Sequence, residues 1–322
     1  MNTAAFSKRH CPLCGSMASS PLLRLDCDTI FRSNWSYRAD RKPLLALDQQ
    51  DLFPVNECGV CRFIYAGLLP EPGFLHTVYD RVIDADAARR DNLSPAQMAA
   101  KMASLATMLR LTPGHPAPLR VLDYGCGFGA TLALLATVAP SVQAVGYESS
   151  ASRIADLRAR NLNASDDLEQ IASGGPFDAI ILDNVLEHVP NPRQTIESIS
   201  KLSGPDALLF ISVPQVDRRR VLAQQAFMDA RGAVDMDINP WEHLNYFDVG
   251  HLDELLLQSG FRPLAAARLP DPVDIGLRAS ISFGARGKNG LASLLRLVSY
   301  VLRGDALPTT TRRFYRLPRD SA

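Results

Sequence analysis

The sequence predicts an α/β protein whose larger part is a mostly parallel sheet with helices on both faces. From Leu119 onward, short apolar runs alternate with segments of helical periodicity. The first of these runs enters a turn with three glycines at alternate positions, and a helical segment follows at once. Two C-x-x-C pairs near the N-terminus predict a small metal-binding segment before the sheet.

Size and composition describe an ordinary globular chain. Its 322 residues suffice for about two domains, and 47% of them are apolar. Lys and Arg together number 34, as do Asp and Glu, so no global basic field attracts nucleic acid or an anionic membrane. The N-terminus lacks the apolar core of a signal peptide, and no apolar run reaches the ~18 residues of a spanning helix. We therefore expect a cytoplasmic protein.

Six cysteines are present, and four of them form two C-x-x-C pairs, Cys11 with Cys14 and Cys58 with Cys61. Two thiolates spaced in this way can bind one tetrahedral ion from a tight turn, and two such turns complete a Cys₄ shell. A closed shell has no open position for water or substrate, so we predict that these residues bind a structural Zn²⁺. Unrelated reduced cysteines and a redox-active pair are the alternatives.

The interval between the two pairs is longer than in an ordinary zinc ribbon, so we expect it to contain strands of its own. Gly15 and Gly59 are expected to give the two cysteine turns their backbone freedom. Cys27 lies within the interval and is either a core residue or a substitute ligand. The segment as a whole is predicted to be a small zinc-ribbon-like domain.

A bridge connects this segment to the sheet. Residues 69–73 are rich in proline and glycine and mark a boundary. Ser94, Pro95 and Gln97 then form a helix start signal, which predicts a helix through about Leu111. We divide the chain into a zinc-binding domain (1–70), a helical bridge (71–115), the sheet domain (116–287) and a C-terminal helix and tail (288–322).

The glycine turn runs from Asp123 through Gly125, Gly127 and Gly129. Alternate glycines permit positive φ and a close approach of backbone to a ligand, and the following helix adds unpaired N–H groups. Gly125, Gly127 and Ala130 also fit the dinucleotide fingerprint, in which a pyrophosphate lies on the helix N-terminus. The other interpretation is Asp-x-Gly-x-Gly-x-Gly, which resembles the first motif of class I S-adenosylmethionine (SAM) methyltransferases. Asp123 favours it, because SAM carries a sulfonium cation and no pyrophosphate.

A second strand is predicted over residues 142–147, and Glu148 at its end can accept hydrogen bonds from both hydroxyls of a ribose. NAD and SAM both contain a ribose, so Glu148 does not decide between them. Residues 183–188, Asp-Asn-Val-Leu-Glu-His, closely resemble the fourth-strand motif of class I methyltransferases, where the strand end lies beside the methyl donor. This resemblance implies SAM as the cofactor, with Asp183 and Asn184 among the residues that contact it.

The same resemblance implies a Rossmann-like class I methyltransferase fold with a mostly parallel, seven-stranded sheet. In some relatives the acid and histidine that correspond to Glu187 and His188 bind a metal or touch the substrate. The alternative is that they belong to a short helical turn that packs against the sheet.

Residues 241–248 form the candidate catalytic loop, because polar and aromatic side chains are concentrated there just before a predicted helix. Methyl transfer from a sulfonium is a direct displacement, so the enzyme mainly aligns the acceptor and, where necessary, removes its proton. His243 is a candidate base, since histidine ordinarily titrates near pH ~6.5, and Glu242 could orient it or bind substrate. A buried histidine that ties down the loop is the alternative.

The paired cysteines, the Val-Leu-Glu-His motif and the Glu-His of this loop together resemble zinc-containing methyltransferases related to sugar C-methyltransferases. That resemblance implies that His243 acts as a base on a nucleotide-linked keto-sugar. Those enzymes carry a further C-terminal domain, for which this chain looks too short, so carbon methylation and the sugar itself remain open. We expect methylation of a small molecule, such as a nucleotide sugar or glycan precursor. An RNA or protein methyltransferase and a non-catalytic binding module are the alternatives.

The C-terminal part is predicted to complete the sheet with antiparallel strands at 261–268 and 278–285. Residues 289–303 are apolar along one helical side, which predicts packing on the domain, self-association or contact with a membrane surface. Residues beyond Pro308 are expected to be unstructured. The run Arg218-Arg219-Arg220 is either a solvated helix face or a phosphate contact.

Overall fold

A computed structural model describes residues 5–48, 50–112, 118–264 and 310–318 of the chain. The chain divides into two compact units, each assembled from separate stretches of sequence. The first unit comprises Met1–Arg90, Asn184–Ile199 and Val213–Ser259, and the second comprises Asp91–Asp183, Ser200–Ser212 and Gly260–Ala322. This division differs from the four predicted segments, whose boundaries remain predictions about domain organisation.

Strands and helices succeed one another along the described residues, together with a 3₁₀ turn at Ala39–Leu45 and a π-helical turn at Val78–Val82. The strands are β1 (Phe6–Lys8), β2 (Ser19–Asp26), β3 (Leu52–Cys58), β4 (Ile64–Ala66), β5 (Leu68–Pro70), β6 (Arg120–Tyr124), β7 (Gln143–Tyr147), β8 (Ala164–Ser165), β9 (Phe177–Asp183), β10 (Ser203–Pro214), β11 (Asn245–Tyr246), β12 (Arg262–Pro263) and β13 (Thr310–Arg316). The helices are α1 (Cys27–Ser33), α2 (Pro72–Thr77), α3 (Ala85–Asn92), α4 (Pro95–Leu111), α5 (Ala130–Val138), α6 (Ala151–Ala159), α7 (Leu168–Ser173), α8 (Pro192–Leu202), α9 (Arg218–Arg231) and α10 (Val249–Gln258).

The second unit is built on a sheet with the strand order β12-β13-β10-β9-β6-β7-β8. The pairs β9–β10, β6–β9, β6–β7 and β7–β8 are parallel, whereas β12 and β13 are antiparallel. The apolar run of β9, residues 179–182, is completely buried, as expected for a central strand that is covered on both faces. The predicted mostly parallel sheet is therefore confirmed.

Parallel pairing decides which side chains share one edge of this sheet. In the strand register, Asp123 of β6 pairs with Gly146 of β7 on one side and with Ile181 of β9 on the other. The carboxyl ends of these three strands therefore meet at the same edge, where α/β proteins of this kind bind their ligands. Asp123, Glu148 and Asp183 all lie there.

The first unit has a four-stranded sheet in the order β11-β4-β3-β2, in which all neighbouring pairs are antiparallel, and β1 pairs with β5. Its core is organised around Trp241, which is completely buried. The ring centroids of Phe31, Tyr37, Phe53 and Phe74 lie 5.4–6.2 Å from that of Trp241. The loop that carries the candidate base therefore begins at a core residue and not at a solvent-exposed turn.

The C-terminus departs from the sequence-based expectation. Residues beyond Pro308 were predicted to be unstructured, which is wrong, because Thr310–Arg316 forms strand β13 and pairs with β12. Phe314 and Tyr315 are almost completely buried, and their aromatic side chains favour a strand. The strand predicted at 278–285 and the helix predicted at 289–303 lie outside the described residues.

Replacing Phe314 by alanine should lower the free energy of unfolding by about 3–5 kcal/mol, because the substitution empties a buried aromatic position in the sheet unit. Urea unfolding followed by circular dichroism measures the change. Val138→Ala is the control, since Val138 is 45% exposed at the end of α5 and should change the value by less than about 0.5 kcal/mol. Equal effects of the two substitutions would contradict the placement of β13.

Candidate functional site

Four cysteine side chains of the first unit converge, as their spacing predicts. One Sγ atom from each of Cys11, Cys14, Cys58 and Cys61 lies within 4.8 Å of all the others. The closest pairs, Cys11 with Cys61 and Cys14 with Cys58, are 3.5 Å apart, well beyond the ~2.05 Å of a disulfide. A tetrahedral zinc ion with ~2.3 Å bonds separates its sulfur ligands by about 3.8 Å. The four thiols therefore fit a metal shell. We call these four cysteines and the two turns that carry them the cysteine module.

The two turns of the cysteine module share one backbone design. The carbonyl oxygen of the first cysteine accepts an N–H four residues later, from Gly15 at 2.9 Å and from Arg62 at 3.1 Å. Gly15 has φ 75° and Arg62 has φ 67°, so each occupies the left-handed position that closes its turn. The expectation that Gly59 has this role in the second turn is wrong. A Cβ at Gly59 would approach the carbonyl oxygen of Ala18 to 3.3 Å, so close packing explains that glycine.

The thiols differ in how readily they ionise. Burial raises the pKa of Cys11 to about 11. Burial also opposes ionisation of Cys58, but hydrogen bonds from the N–H groups of Cys61 and Val60 lower its pKa to about 7. Because the thiolate is the form that binds zinc, Cys58 is more ready to bind it than Cys11 is. Cys27 instead belongs to the apolar core of the first unit.

The glycine turn of the second unit has a conformation that glycine adopts most readily. The φ angles of Gly125, Gly127 and Gly129 are 79°, 54° and 71°. At Gly129 a Cβ would also come within 2.4 Å of the Leu157 side chain. Helix α5 begins at the next residue, so its unpaired N–H groups lie at the same place as the turn.

Glu148 directly follows β7 and is buried beside the glycine turn. Its carboxylate accepts the N–H of Gly127 at 3.0 Å and that of Ser150 at 2.9 Å, and it lies 3.6 Å from the Arg153 guanidinium. The carboxylate that the sequence predicts as a ribose ligand therefore contacts the turn that would approach the same cofactor.

Asp123 and Asp183 are a second pair of carboxylates at this edge. Burial raises the pKa of Asp123 to about 7, although the nearby Lys101 ammonium acts in the opposite direction. Burial also opposes ionisation of Asp183, but its ion pair with Lys101 dominates and lowers its pKa. The two acids therefore differ in protonation near neutral pH. Asn184 follows at once and is exposed, with φ 57°.

Lys101 was missed by the sequence analysis. It lies on α4 and donates to Asp183, and its side chain is only 14% exposed. One signal in the sequence could have indicated Lys101. It is a single lysine four residues before Leu105, on the largely apolar side of the helix. Lys101 and Asp183 line a small cleft together with Ser104, Leu105, Met108, Thr131, Ile181 and Phe210.

Two imidazoles lie side by side in the first unit, and we call His188 and His243 the histidine pair. Their ring centroids are 4.8 Å apart with an interplanar angle of 76°. The hydroxyl of Tyr79 lies 3.3 Å from Nδ1 of His188, and a Glu187 carboxylate oxygen lies 4.0 Å from Nε2 of the same ring. One ligand atom from each of Glu187, His188 and His243 lies within 4.8 Å of the other two, so the group could share a proton or bind a cation.

Backbone carbonyls determine the tautomer of both rings. The Nδ1 atom of His243 lies 2.7 Å from the carbonyl oxygen of Asp237, and that of His188 lies 2.9 Å from the carbonyl oxygen of Glu242. A carbonyl only accepts, so each Nδ1 must carry the proton that it donates. In the neutral imidazole, each Nε2 then keeps its lone pair and is the basic nitrogen.

The Glu242 carboxylate is buried in a polar network of the first unit. It accepts hydrogen bonds from Tyr37, from Asn34 at 3.1 Å and from Asn239 at 3.0 Å. The sequence suggested that Glu242 orients His243 or binds substrate, and the Nδ1 atom of that ring faces the Asp237 carbonyl. These contacts attach the loop to the core of the unit.

Arg220, in the arginine run on α9, contacts the segment that precedes this loop. Arg220 donates to the carboxylates of Asp235 at 2.6 Å and Asp237 at 2.5 Å, and Arg218 lies 3.4 Å from the Glu57 carboxylate. Neither a solvated helix face nor a phosphate contact describes Arg220, because two carboxylates already neutralise it. The pair with Asp237 holds the residue whose carbonyl orients His243.

A known protein family and several curated proteins resemble parts of this chain. The family model described as a methyltransferase domain matches residues 95–266, a little more than half of the chain. The ubiquinone biosynthesis O-methyltransferase of Ralstonia nicotianae is 32% identical over 100 residues, which are 29% of this chain and 42% of that protein. The enzyme of the same name from Xanthomonas axonopodis pv. citri is 33% identical over 105 residues, 30% of this chain and 44% of that protein. The chain thus spans less than half the length of these curated relatives.

A solved structure resembles the chain more broadly. The plantazolicin methyltransferase BamL, in complex with a triazolic desmethylPZN analog and SAH, superposes with a TM-score of 0.50. The match covers 76% of this chain and 94% of that one, at 14% sequence identity. At this identity the likeness shows the fold.

We expect the unsubstituted protein to lose stability as pH rises, and Asp123→Asn to remove this loss. The carboxyl titrates near 3.8 when unfolded and near 7 when folded, so between these values the folded protein binds more protons than the unfolded chain. The free energy of unfolding must therefore fall as pH rises through this window, by up to about 1.4 kcal/mol per unit of pKa difference. Urea unfolding at pH 5 and pH 8, without cofactor, measures the slope.

Asp86→Asn is the matched control, because Asp86 is exposed on α3 and should leave the slope of the unsubstituted protein in place. A slope that survives in Asp123→Asn would show that another group causes it.

Proposed function

Because the chain belongs to the family of methyltransferase domains, we propose that it transfers the methyl group of SAM to a small-molecule acceptor. The observation that carries the proposal is the glycine turn beside three buried or half-buried carboxylates, those of Asp123, Glu148 and Asp183. A dinucleotide would bring a pyrophosphate to this acidic edge and be repelled, whereas the sulfonium cation of SAM is attracted.

The proposed cofactor contacts belong to one turn and the strand ends beside it. The glycines allow backbone approach, and the Glu148 carboxylate is suited to ribose hydroxyls. Lys101 keeps the Asp183 carboxylate ionised, so that its oxygen atoms stay available as hydrogen-bond acceptors. The residues that we assign to SAM are Asp123, Gly125, Gly127, Gly129, Glu148, Asp183 and Asn184.

We assign His243 as the base. Its Nε2 carries a lone pair because Nδ1 donates to the carbonyl of Asp237. Bound SAM would supply an electrophilic methyl group. His243 would take the proton that the acceptor loses when its carbon or oxygen bonds to that methyl, with S-adenosylhomocysteine as the leaving group. Glu242 would contribute by holding the loop through its contacts with Tyr37 and Asn239.

Two acceptor classes fit a histidine base. A nucleotide-linked sugar or other glycan precursor follows from the resemblance to zinc-containing sugar methyltransferases. A hydroxyl acceptor is suggested by the relatives named ubiquinone biosynthesis O-methyltransferase. A carbon acid and a hydroxyl both lose a proton during methylation, so the same imidazole suits either.

The alternative functions have less support. An RNA methyltransferase would be expected to carry excess positive charge, yet acidic and basic residues are equally numerous at 34 each. A non-catalytic binding module would have no need for a histidine whose tautomer leaves a free basic nitrogen. Small-molecule methylation is therefore the proposal that we retain ahead of RNA methylation and of a non-catalytic role.

We also propose that the cysteine module binds a structural Zn²⁺ through Cys11, Cys14, Cys58 and Cys61. The spacing of the four sulfur atoms and the N–H that Val60 directs at Cys58 support this donor set. A four-thiolate shell leaves no position for a substrate, so the ion would stabilise the fold and take no part in methyl transfer.

In the described residues, no helix is long and apolar enough to cross a membrane. We propose a cytoplasmic location, where cysteines stay reduced and available to a metal. Self-association through residues 289–303 stays a prediction, because these residues lie outside the described ranges.

His243→Gln should lower kcat by about 10²–10⁴-fold, because glutamine cannot accept the proton, while SAM affinity by calorimetry stays within about twofold. His76→Gln is the control, since the His76 side chain is 73% exposed. Full activity of His243→Gln would exclude the base, and a requirement for an added divalent cation would assign the histidine pair to a metal.

Cys14→Ser should abolish the binding of one zinc ion per chain, measured by native mass spectrometry and atomic absorption, because a hydroxyl does not replace a thiolate ligand. Cys14 is exposed, so the change should not disturb the core. Cys27→Ala is the matched control and should keep the metal. Zinc retained by Cys14→Ser but lost from Cys27→Ala would identify a different ligand set.

A further inference from the structure

Asn245 joins the two segments that carry the histidine pair. It is buried, and its side-chain amide donates to the carbonyls of Leu186 at 2.7 Å and Val189 at 2.8 Å. The backbone N–H groups of Leu244 and Asn245 both donate to the Glu187 carbonyl, at 2.6 and 3.0 Å. Four hydrogen bonds therefore fix one histidine-bearing segment against the other.

Arg9 connects this junction to the first cysteine turn, which begins two residues later. Its guanidinium donates to the Leu244 carbonyl at 2.6 Å, to the Asn245 side-chain oxygen at 2.8 Å and to the Pro190 carbonyl at 2.5 Å. The guanidinium also lies 6.0 Å from the centre of the Tyr65 ring. Burial lowers the pKa of Arg9 to about 10, so the group stays charged at neutral pH.

The second cysteine turn reaches the same two residues through β4, Ile64–Ala66. Asn245 pairs with Tyr65 in an antiparallel ladder, and the N–H of Ala66 donates to the Leu244 carbonyl at 3.0 Å. Both turns of the cysteine module therefore converge on Leu244 and Asn245, although they approach from different parts of the sequence.

A third contact anchors the helix that follows. Nε2 of His251 lies 2.8 Å from the carbonyl oxygen of Cys61, and Nδ1 of the same ring lies 2.9 Å from the Asp248 carboxylate. The chain that follows His243 is thus tied to the cysteine module first at Leu244 and Asn245 and again at His251.

We infer that Arg9 and Asn245 position the histidine pair, and that the metal-loaded cysteine module is the frame against which they hold it. The inference rests on the proposed function, which gives the pair its chemical purpose. Arg9 is a positioning residue, because it acts through the Leu244 carbonyl and the Asn245 amide. Its planar fork serves three acceptors at once, which a single-donor side chain does not reproduce. A displacement of about 1 Å at a reacting group can cost ~10²-fold in rate.

Arg9→Gln in the zinc-loaded full chain tests this inference, with Arg193→Gln as the matched control. Arg193 makes the same kind of bond to the same module, to the Leu13 carbonyl at 2.6 Å, but from helix α8. The readouts are the imidazole ¹⁵N resonances of the six histidines, hydrogen exchange of residues 240–248, zinc content and SAM affinity.

We expect Arg9→Gln to shift the resonances of His188 and His243 and to speed exchange of the Leu244 and Asn245 amides at least about tenfold. Zinc content should be unchanged, SAM affinity should stay within about twofold, and kcat should fall by about 10–10²-fold. Arg9→Lys keeps the charge without the fork and should recover only part of kcat. Removal of the metal by a chelator should shift the same two resonances, and Arg193→Gln should shift neither.

Unchanged resonances and exchange in Arg9→Gln would overturn the inference, as would equal shifts in Arg193→Gln. Asn245→Asp provides a second variant should Arg9→Gln fold poorly. It keeps the shape and the Arg9 acceptor but loses both amide donors, so it too must shift the resonances of the histidine pair. These spectra are recorded without substrate, so they test the positioning of the histidine pair independently of catalysis. If the His243→Gln variant stayed active, the role of His243 as a base would be refuted, and the spectra of Arg9→Gln would still decide whether Arg9 positions the pair.

Discussion

Burial of like charges at the carboxyl edge of the parallel sheet is the constraint on which the second unit depends. Strand pairing brings Asp123, Glu148 and Asp183 to this edge, and their mutual repulsion requires compensation. Lys101 neutralises Asp183, whereas Glu148 accepts the N–H of Gly127 and lies 3.6 Å from the Arg153 guanidinium. Asp123 is left with a raised pKa, so the edge is suited to a ligand that brings positive charge. The glycine turn is thus part of the electrostatic design as well as a means of close approach.

The first unit uses backbone carbonyls where the second uses charges. The carbonyls of Asp237 and Glu242 hold the rings of His243 and His188, and each leaves the same nitrogen basic. Arg220 in turn fixes Asp237 through a carboxylate pair. The chemistry proposed for His243 therefore relies on a loop that is rigid because its own polar groups are paired.

Local patterns predicted the elements whose function depends on neighbours in sequence. The glycine turn, the cysteine turns and the helix start at Ser94 are of this kind, since each is closed by hydrogen bonds over a few residues. Strand β13 was not predicted, because a strand is stabilised by a partner that its own sequence does not name. Lys101 was not predicted either, since its role depends on an acid that a different element supplies.

The sequence by itself predicted the glycine turn and the convergence of four cysteines, because residue type and spacing are sufficient to specify both. Only the tertiary structure decided the charge of Asp183 and the tautomers of the histidine pair. It alone also decided the contact between Arg9 and Asn245, because these two residues are 236 positions apart in the sequence. The physical reason is that many of the groups that orient the histidine pair are backbone carbonyls. Every residue has such a carbonyl, so the fold alone determines which of them meets a given side chain.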